Sequence, residues 1–425
     1  MEHHSERNTD TMKNCFYPAD ILLPRFASDA EKMRKWACIA CDQYTSEPEY
    51  WKKAEEIVGD APSALRLILP ELYLNEAAER TPEINRRMDE YLERVLVEHK
   101  SSMLYLERRL NSGKIRRGLI GALDLECYDY TRGATSLIRA TEGTVLERIP
   151  PRVAIRSGAS VELPHIMILI DDPGKTVIEP VAKDKLTPAY DFELMLSGGH
   201  VKAGFVSADE QARISESLDR LMGDEPHPLL FAVGDGNHSL ASAKAFWEQL
   251  KPSLSDDEKK SHPARFALCE IVNIHDDALE FEPIYRVVFG ANPDELIAEM
   301  NSYAKALPES GIAAQEIEYV TKDKSGKLVF TNPTSLLPVG TLQTFLDGYL
   351  KAHPEASVDY IHGVESTEKL ASDDKAIGFI FRGMEKSDLF PTVVRDGALP
   401  RKTFSMGEAN DKRFYIEARR IKPAK

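Results

Sequence analysis

The pattern of apolar and polar positions predicts short strands mixed irregularly with helices. Apolar runs of strand length lie at residues 166–170, 229–233 and 266–274. Thr81-Pro82 begins an amphipathic pattern that predicts a helix through about His99, and residues 237–250 predict another. Because the elements do not alternate in regular βαβ units, we expect an α+β or irregular α/β fold, with mixed sheets and flanking helices.

The chain length indicates more than one packing unit, since 425 residues exceed a typical single domain. We expect a flexible leader over residues 1–13, a main α/β domain over 14–290, and a C-terminal α/β part over 291–425 packed on that domain. Within the main domain, the runs 266–274 and 279–289 are predicted to form a hairpin through His275-Asp276-Asp277.

The net charge and the lengths of the apolar runs limit the kinds of partner that this protein is expected to bind. The 54 Lys+Arg against 69 Asp+Glu give a net charge of -15, which argues against a nucleic-acid partner because phosphate neutralisation needs a basic surface. A local basic pocket for a small anion remains compatible with this charge. No apolar run approaches the roughly 20 residues of a membrane helix, and the N-terminus lacks the apolar core of a signal peptide. We therefore expect a cytoplasmic protein without a membrane partner.

The cysteines suggest no special chemistry. Five cysteines in a long chain form an odd and sparse set, which argues against a disulfide framework. Cys38 and Cys41 form a C-x-x-C pair inside an apolar run, without a second pair to complete a zinc site. Ordinary buried thiols explain them best.

The most informative segment joins the strand at 229–233 to the helix at 237–250. It consists of Gly234, Asp235, Gly236, Asn237, His238 and Ser239. Its glycines let the backbone approach a ligand closely, and the first amides of the helix favour an anion. The polar side chains add donors, and the aspartate could orient a histidine. We interpret the segment as a phosphate-binding loop; the alternative is an ordinary strand–turn–helix with an Asn cap.

Three further groups could contribute. Arg152 and Arg156 share a helix face if a helix starts at the preceding prolines, and two guanidinium groups on one face suit phosphate. Glu142 lies in a nearby Thr/Gly turn as a candidate general base; surface salt bridges are the alternative. Asp42 lies on a loop between two predicted helices, where it serves as a second candidate base or as a cap.

The last group is the pair Arg401 and Lys402, which follows a Gly-Ala-Leu-Pro turn. In a chain of negative net charge, a phosphate site needs cations gathered locally. We expect this pair to reach the anion at the loop, so that a truncation before Pro400 weakens anion binding more than stability. A solvated charge pair is the alternative.

Several long motifs resemble those of the bacterial and archaeal domain-of-unknown-function 1015 family. They are residues 36–51, 139–156, 163–165, 234–239 and 401–408. The family's Asp-Gly-His-His-Arg signature is similar to the phosphate-binding loop of the ParB/sulfiredoxin superfamily, which includes an archaeal ADP-dependent free serine kinase. The resemblance implies a ParB/sulfiredoxin-like core with additional α/β units. Two positions depart from the pattern: Ser239 replaces the signature arginine, and Tyr285 replaces the histidine of a His-Arg pair completed by Arg286.

The leading hypothesis is a phosphotransferase that binds ATP or ADP, with Mg²⁺, at the loop and acts on a small hydroxylated metabolite such as serine. His238, Glu142 and Asp42 are the candidate catalytic residues. The alternatives are a non-catalytic protein that senses a nucleotide or metabolite, and a metal-dependent hydrolase. The hydrolase would use Asp235 and His238 with His165 or His200, although no spacing requires it.

Overall fold

The computed structural model describes residues 14–181 and 186–424, so the predicted leader over residues 1–13 lies outside the described residues. The fold is an irregular α+β arrangement with mixed sheets, as the sequence predicted. The chain divides into two compact units. The first unit comprises the described parts of Met1–Ala140, Thr144–Leu279 and Glu408–Lys425, and the second comprises Thr141–Gly143 and Glu280–Gly407.

The first unit contains most of the secondary structure. Its helices are α1 (Ala30–Trp36), α2 (Pro48–Val58), α3 (Ala77–Arg94), α4 (Ile149–Gly158), α5 (Ala208–Met222), α6 (Asn237–Leu250) and α7 (Asp256–Ser261). Its strands up to residue 273 are β1 (Phe16–Tyr17), β2 (Ala19–Pro24), β3 (Cys38–Ile39), β4 (Leu96–Ser102), β5 (Leu104–Arg109), β6 (Ile115–Asp124), β7 (Tyr128–Asp129), β8 (Ile138–Ala140), β9 (Val161–Glu162), β10 (Met167–Ile170), β11 (Thr187–Glu193), β12 (His200–Phe205), β13 (Phe231–Asp235) and β14 (Phe266–Asn273).

The second unit follows along the chain. Its strands are β15 (Phe281–Phe289), β16 (Gln315–Val320), β17 (Ser325–Phe330), β18 (Ser357–His362), β19 (Ala376–Phe381) and β20 (Phe404–Met406), and its helices are α8 (Pro293–Ala306), α9 (Pro338–Ala352), α10 (Val364–Leu370) and α11 (Leu389–Asp396). The strands form one sheet in the order β17-β16-β19-β15-β18, with β20 also paired to β15. The chain then returns to the first unit as β21 (Phe414–Tyr415) and β22 (Ala418–Arg420).

The largest sheet of the first unit is covered on both faces. Among the described residues it has ten strands, in the order β11-β12-β5-β6-β14-β10-β13-β8-β7, with β1 paired to β6. Side chains of β14 alternate between two apolar cores, with Leu268 in one and Ala267 and Cys269 in the other. Strands buried on both faces are apolar almost throughout, which explains the continuous apolar runs in the sequence.

Strand pairing brings two distant segments together at one edge of this sheet. β10 runs antiparallel to β13, with Met167 opposite Asp235. The residues that lead into β10 therefore lie beside the residues that leave β13. His165 precedes β10, and the predicted loop follows β13, so this pairing fixes the position of the candidate site.

Two predictions about elements are wrong. β14 and β15 do not form a hairpin, because β14 pairs with β6 and β10 while β15 pairs with β18, β19 and β20. The helix expected from Thr81 to His99 begins earlier, at Ala77, and ends at Arg94, with Pro82 inside it. His99 instead lies in β4, which pairs with β2.

The grouping of residues also differs from the expected boundary after residue 290. The units divide between Leu279 and Glu280, because β15 pairs within the sheet of the second unit. The C-terminal segment from Glu408 belongs to the first unit, where β22 pairs with β2 and β9. Among the described residues, the helices are all too short or too polar to cross a membrane.

The cysteines include one pair that the sequence pattern did not predict. Cys15 and Cys127 form a disulfide between residues 112 positions apart. Cys38, Cys41 and Cys269 are free. Burial raises the pKa of Cys41 to about 12 and that of Cys38 well above its usual value. Because the thiolate is the reactive form, neither member of the C-x-x-C pair is activated.

Candidate functional site

The loop between β13 and α6 turns sharply at a glycine. Gly236 has a left-handed φ of 78° and is the N-cap residue of α6. A Cβ atom there would lie 3.0 Å from Ile166 Cα and 3.5 Å from His165 Cδ2. Asp235 Oδ1 accepts a hydrogen bond from the Gly236 amide at 2.9 Å, and Asp235 Oδ2 lies 3.3 Å from Lys412 Nζ. Both the backbone conformation and the space therefore require glycine.

The start of α6 presents polar groups without a side-chain cap. Because the N-cap residue is Gly236 rather than the Asn237 considered from the sequence, no described side chain caps the helix. Asn237 Oδ1 is buried and has no hydrogen-bond partner within the described chain. His238 Nε2 accepts a hydrogen bond from the amide of Val145 at 3.4 Å. Helix-start amides and the helix dipole favour an anion at such a position.

His165 connects this helix start to two other segments. Its Nε2 atom lies 3.4 Å from Ser239 Oγ and 3.6 Å from Asp42 Oδ2, and its Nδ1 atom lies 2.8 Å from the hydroxyl of Tyr415. That hydroxyl also accepts a hydrogen bond from the Cys41 amide at 3.2 Å. His165 therefore brings Asp42, Ser239 and Tyr415 together around one imidazole ring.

The charge of Asp42 follows from these neighbours. Burial by itself raises the pKa of this carboxyl, but His165 and a hydrogen bond from Gln43 lower it more, so the pKa lies below its ordinary value. Asp42 is therefore ionised at neutral pH. A carboxylate with a lowered pKa is a weak proton acceptor but a good electrostatic partner for an imidazole.

Arg152 and Arg156 lie on α4, which begins at the prolines as the sequence predicted. Arg152 forms an ion pair with Glu71. Arg156 Nη2 lies 2.5 Å from Glu162 Oε2, while its Nε atom is buried and lacks a hydrogen-bond partner in the described residues. Each guanidinium is thus neutralised by one carboxylate and retains further N–H donors.

These groups line a single cavity of about 180 Å³ in the first unit. Its polar lining includes Arg152, Arg156, His165, Ser239, Ser242 and Tyr415. Asp42 adjoins it through its contact with His165. Of the predicted loop at residues 234–239, Ser239 is the member that lines this cavity in the described chain. In the part of the chain that the structure describes, no cluster of three or more His, Cys, Asp or Glu side chains is arranged to hold a metal ion.

The remaining candidate residues are brought together in the second unit. Glu142 forms a parallel β-bridge with Leu399, two positions before Arg401. The fully buried Arg286 donates hydrogen bonds to the carbonyl oxygens of Arg401 and Lys402, each at 3.0 Å. Arg401 and Lys402 themselves are exposed. Arg286 therefore fixes the backbone that presents this cationic pair.

Burial lowers the pKa of Arg286 to about 10, while Tyr360 and Glu142 oppose that shift. The neighbouring Tyr285 is buried against Phe381 with the ring centroids 5.4 Å apart. Tyr285 is therefore an aromatic core residue of the second unit.

Residues 22–349 match the family described as "Protein of unknown function (DUF1015)". The match covers well over half of the chain. The chain belongs to this family. No curated protein matches the sequence. The DUF1015 match includes the loop, α4, Asp42 and His165, whereas Lys412 and Tyr415 follow it in the sequence.

Solved structures give weak likenesses to this DUF1015 protein. A free serine kinase mutant in complex with AMP has 12% identity and a TM-score of 0.37, covering 69% of this chain and 92% of that chain. A conserved hypothetical protein from Pyrococcus furiosus has 12% identity and a TM-score of 0.32, covering 66% and 92%. A C-terminally truncated SbnI from Staphylococcus aureus has 10% identity and a TM-score of 0.35, covering 68% and 82%. Such scores support no statement about shared activity.

Two contributors to the first-unit site of this DUF1015 protein were not predicted from the sequence. Lys412 and Tyr415 lie far from the loop in sequence, and only the return of the C-terminal segment brings them near. The signal for His165 was stronger, because it is a histidine directly before an apolar run, yet it was considered only as a metal ligand. Neighbouring strand ends are common positions for site residues.

Proposed function

We propose that the first unit binds the phosphate of a nucleotide or another phosphorylated small molecule at the start of α6. The protein would then be an enzyme that transfers phosphate to a hydroxyl group of a small metabolite. ADP or ATP with Mg²⁺ is the nucleotide to test first, because the loop resembles the phosphate-binding loop of the ParB/sulfiredoxin superfamily in sequence. Asp235, Gly236, Asn237, His238 and Ser239 would surround the phosphate.

The observation that carries the proposal is that Arg156 and Ser239 line one cavity at an uncapped helix start. Phosphate recognition needs several donors directed at one point, and helix-start amides with a guanidinium supply them. The unpartnered Nε–H of Arg156, considered within the described residues, is a donor that the protein itself leaves unused. Arg152 adds a second guanidinium whose remaining N–H groups can donate.

The same geometry supports an acid–base role for His165 rather than for Asp42 alone. The imidazole lies on the cavity wall, and its Nε2 atom faces Ser239 and the ionised Asp42. Asp42 would stabilise the imidazolium when His165 Nε2 accepts a proton from the attacking hydroxyl. Phosphoryl transfer otherwise depends mostly on positioning and charge neutralisation, which the arginines and amides would provide.

Glu142, Arg401 and Lys402 remain candidates for a general base and for phosphate binding by the second unit. Their proximity to each other through Leu399 and Arg286 supports a shared role. The double variant Arg401→Gln/Lys402→Gln tests it, with Lys322→Gln as an exposed control in the same unit. Weaker phosphate binding in the double variant only would support that role, and equal binding in both variants would remove it.

Calorimetric titration tests binding in the first unit, with inorganic phosphate, AMP, ADP and ATP, each with and without Mg²⁺. Arg156→Gln should weaken the tightest of these by about tenfold or more, since a hydrogen bond to a charged group contributes about 1.5–3 kcal/mol. The fold should tolerate this change because Glu162 keeps Arg419 at 2.9 Å. Arg148→Gln is the control, as Arg148 is exposed just before α4. Equal loss in both variants would contradict the proposal.

Product analysis separates an enzyme from a non-catalytic sensor that uses the same cavity. The protein is incubated with the nucleotide that binds, together with serine or other small alcohols, and phosphorylated products are followed by ³¹P NMR. Turnover that is lost in His165→Gln supports the enzyme. Binding without any product over many hours supports the sensor.

A further inference from the structure

The cavity beside the loop has a lining of two chemical kinds. Its polar residues include His165, Ser239 and Ser242. Its apolar wall consists of Leu67, Leu69, Ile84, Met88, Ile155 and Val161. Apolar side chains make up more of the wall than phosphate binding requires, because phosphate and magnesium are recognised by charged and polar groups.

The apolar wall comes from elements that are fixed independently of the loop. Ile84 and Met88 lie four positions apart on α3 and therefore share one face of that helix. Both are buried, and Leu67 and Val161 are almost fully buried as well. These residues belong to the apolar core of the first unit, so the wall is rigid and cannot readily turn polar groups towards a ligand.

The size of the cavity sets the size of the group it can hold. At about 180 Å³ it is slightly larger than the roughly 150 Å³ apolar cavities that bind benzene. A ring or a branched chain of about six carbon atoms would fill it completely, whereas about four carbon atoms would leave room for a polar end. Serine has no such group, and a bound serine would leave the apolar wall in contact with water.

We infer that the substrate is amphipathic: an apolar group of about four carbon atoms contacts the apolar wall at Ile84, Met88 and Ile155, and a polar end faces His165 and Ser239. The identity of that polar end as a phosphate, or as a hydroxyl that receives one, rests on the proposed function. The apolar end stands on the cavity lining alone. Small-molecule sites commonly combine a mostly apolar wall with a few polar groups that fix orientation.

A homologous series of ligands tests the inference on the full-length protein. Calorimetric titration with methyl, ethyl, propyl and butyl phosphate should give a Kd that falls about fourfold for each added methylene. Glycerol phosphate, which is of similar length but polar, should show no such gain over methyl phosphate. A Kd that stays constant from methyl to butyl phosphate would overturn the inference and leave phosphate binding intact.

A matched pair of variants tests whether the increase in affinity with alkyl chain length arises in this cavity. Ile155 is half-buried at the cavity wall, and the adjacent Ala154 is exposed on the same helix. Ile155→Trp should fill the space beside the apolar wall and bring the ratio of the methyl to butyl phosphate Kd close to one. Ala154→Trp should keep the wild-type ratio of about sixtyfold. An unchanged ratio in a folded Ile155→Trp protein would contradict the assignment.

Neutral alcohols separate this inference from the proposed function. If no phosphate compound binds, the series from ethanol to hexanol and benzyl alcohol is measured by thermal shift. Stabilisation that grows with chain length and disappears in Ile155→Trp supports an apolar substrate end while the phosphate hypothesis fails. The absence of any chain-length dependence would overturn the inference as well.

Discussion

At the residue scale, Gly236 is a position where the backbone conformation and the available space both require glycine. Gly236→Ala should destabilise the first unit by about 2–4 kcal/mol, because a left-handed alanine costs about 1–2 kcal/mol and the added Cβ would press on Ile166. Urea unfolding followed by tryptophan fluorescence measures this, since all three tryptophans, at positions 36, 51 and 247, belong to the first unit.

The control is a glycine with the same backbone but open space. Gly133 has a φ of 81°, and no atom lies within 4 Å of the position that a Cβ would occupy there. Gly133→Ala should therefore cost only the backbone share, about 1–2 kcal/mol. If both substitutions lower the free energy of unfolding by the same amount, the close approach to Ile166 does not contribute to the effect of Gly236→Ala.

Tyr415 provides the second prediction at this scale. Tyr415→Phe should destabilise the first unit by about 1–3 kcal/mol, because the Cys41 amide and His165 Nδ1 would both lose their partner. The matched control is Tyr128→Phe, since the buried hydroxyl of Tyr128 has no hydrogen-bond partner among the described residues. That control should be neutral or slightly stabilising. Equal losses in the two variants, again in urea unfolding, would refute the role of the Tyr415 hydroxyl.

The site residues that the sequence indicated were those whose signal is local. The loop stood out because two glycines and four polar residues follow one apolar strand, and the glycine conformation requires that pattern. The ion pair of Asp235 with Lys412 and the contact of His165 with Tyr415 could not be predicted, because each joins residues more than 170 positions apart. Pairing at such separation depends on the whole fold.

At the element scale, β14 carries a buried carboxylate between strands. Glu270 is fully buried, and its side chain lies 3.3 Å from Arg116 of β6 and 2.6 Å from Arg413. Glu270→Gln should destabilise the first unit by about 3–5 kcal/mol, since it removes the carboxylate paired with buried Arg116 and one of the two paired with Arg413, which keeps Glu417. The exposed pair of Arg109 and Glu193 supplies the control, as Glu193→Gln should cost less than about 1 kcal/mol.

The stabilisation that the Glu270 carboxylate provides should decrease at low pH. Burial raises the pKa of Glu270, but Arg116 and Arg413 lower it more, so the folded pKa lies below the unfolded value of about 4.3. Its stabilisation is therefore complete above the unfolded pKa and is lost as the pH falls through the folded pKa. The stability difference between wild type and Glu270→Gln should shrink as the pH falls below about 4. A difference that is constant or grows towards low pH would contradict this.

Helices and strands with a local sequence pattern were predicted well. Arrangements that depend on which strands pair with each other were predicted poorly. The α6 helix and the strand at 167–170 have clear periodicity or apolar runs, and both are confirmed. The hairpin between β14 and β15 failed because the His275–Asp277 turn joins strands of different sheets, with Asp276 capping the Ala278 amide at 2.8 Å. Turn residues indicate where a strand ends, but they do not determine its neighbour.

At the scale of the whole molecule, the C-terminal segment makes the first unit discontinuous in sequence. β21 pairs with β3, and β22 pairs with β2 and β9. The carbonyl of Ile416 accepts a hydrogen bond from Trp36 Nε1 at 2.8 Å. The sequence predicts a boundary after residue 290, where a new series of helices and strands begins. Nothing in the composition of the C-terminal segment indicates that its strands pair with the first unit.

This return changes what a C-terminal truncation measures. A truncation before Pro400 removes Arg401 and Lys402 together with the buried Phe414, Tyr415 and Ile421, so it cannot isolate the cationic pair. A chain ending at residue 407 keeps the pair and loses only the returning segment. That chain should fail to fold its first unit. Each large buried side chain contributes about 1.5–3 kcal/mol, and losing four or five approaches the total stability of about 5–15 kcal/mol.

Trp36 reports the result directly, because its indole hydrogen bond ends on the removed segment. In the chain ending at residue 407, tryptophan emission should shift to the red and cooperative urea unfolding should disappear. A chain ending at Ile421 keeps β21, β22 and every buried residue of the described segment, so it should unfold like the wild type. Native emission and a cooperative transition in the shorter chain would mean that the first unit folds without its last strands.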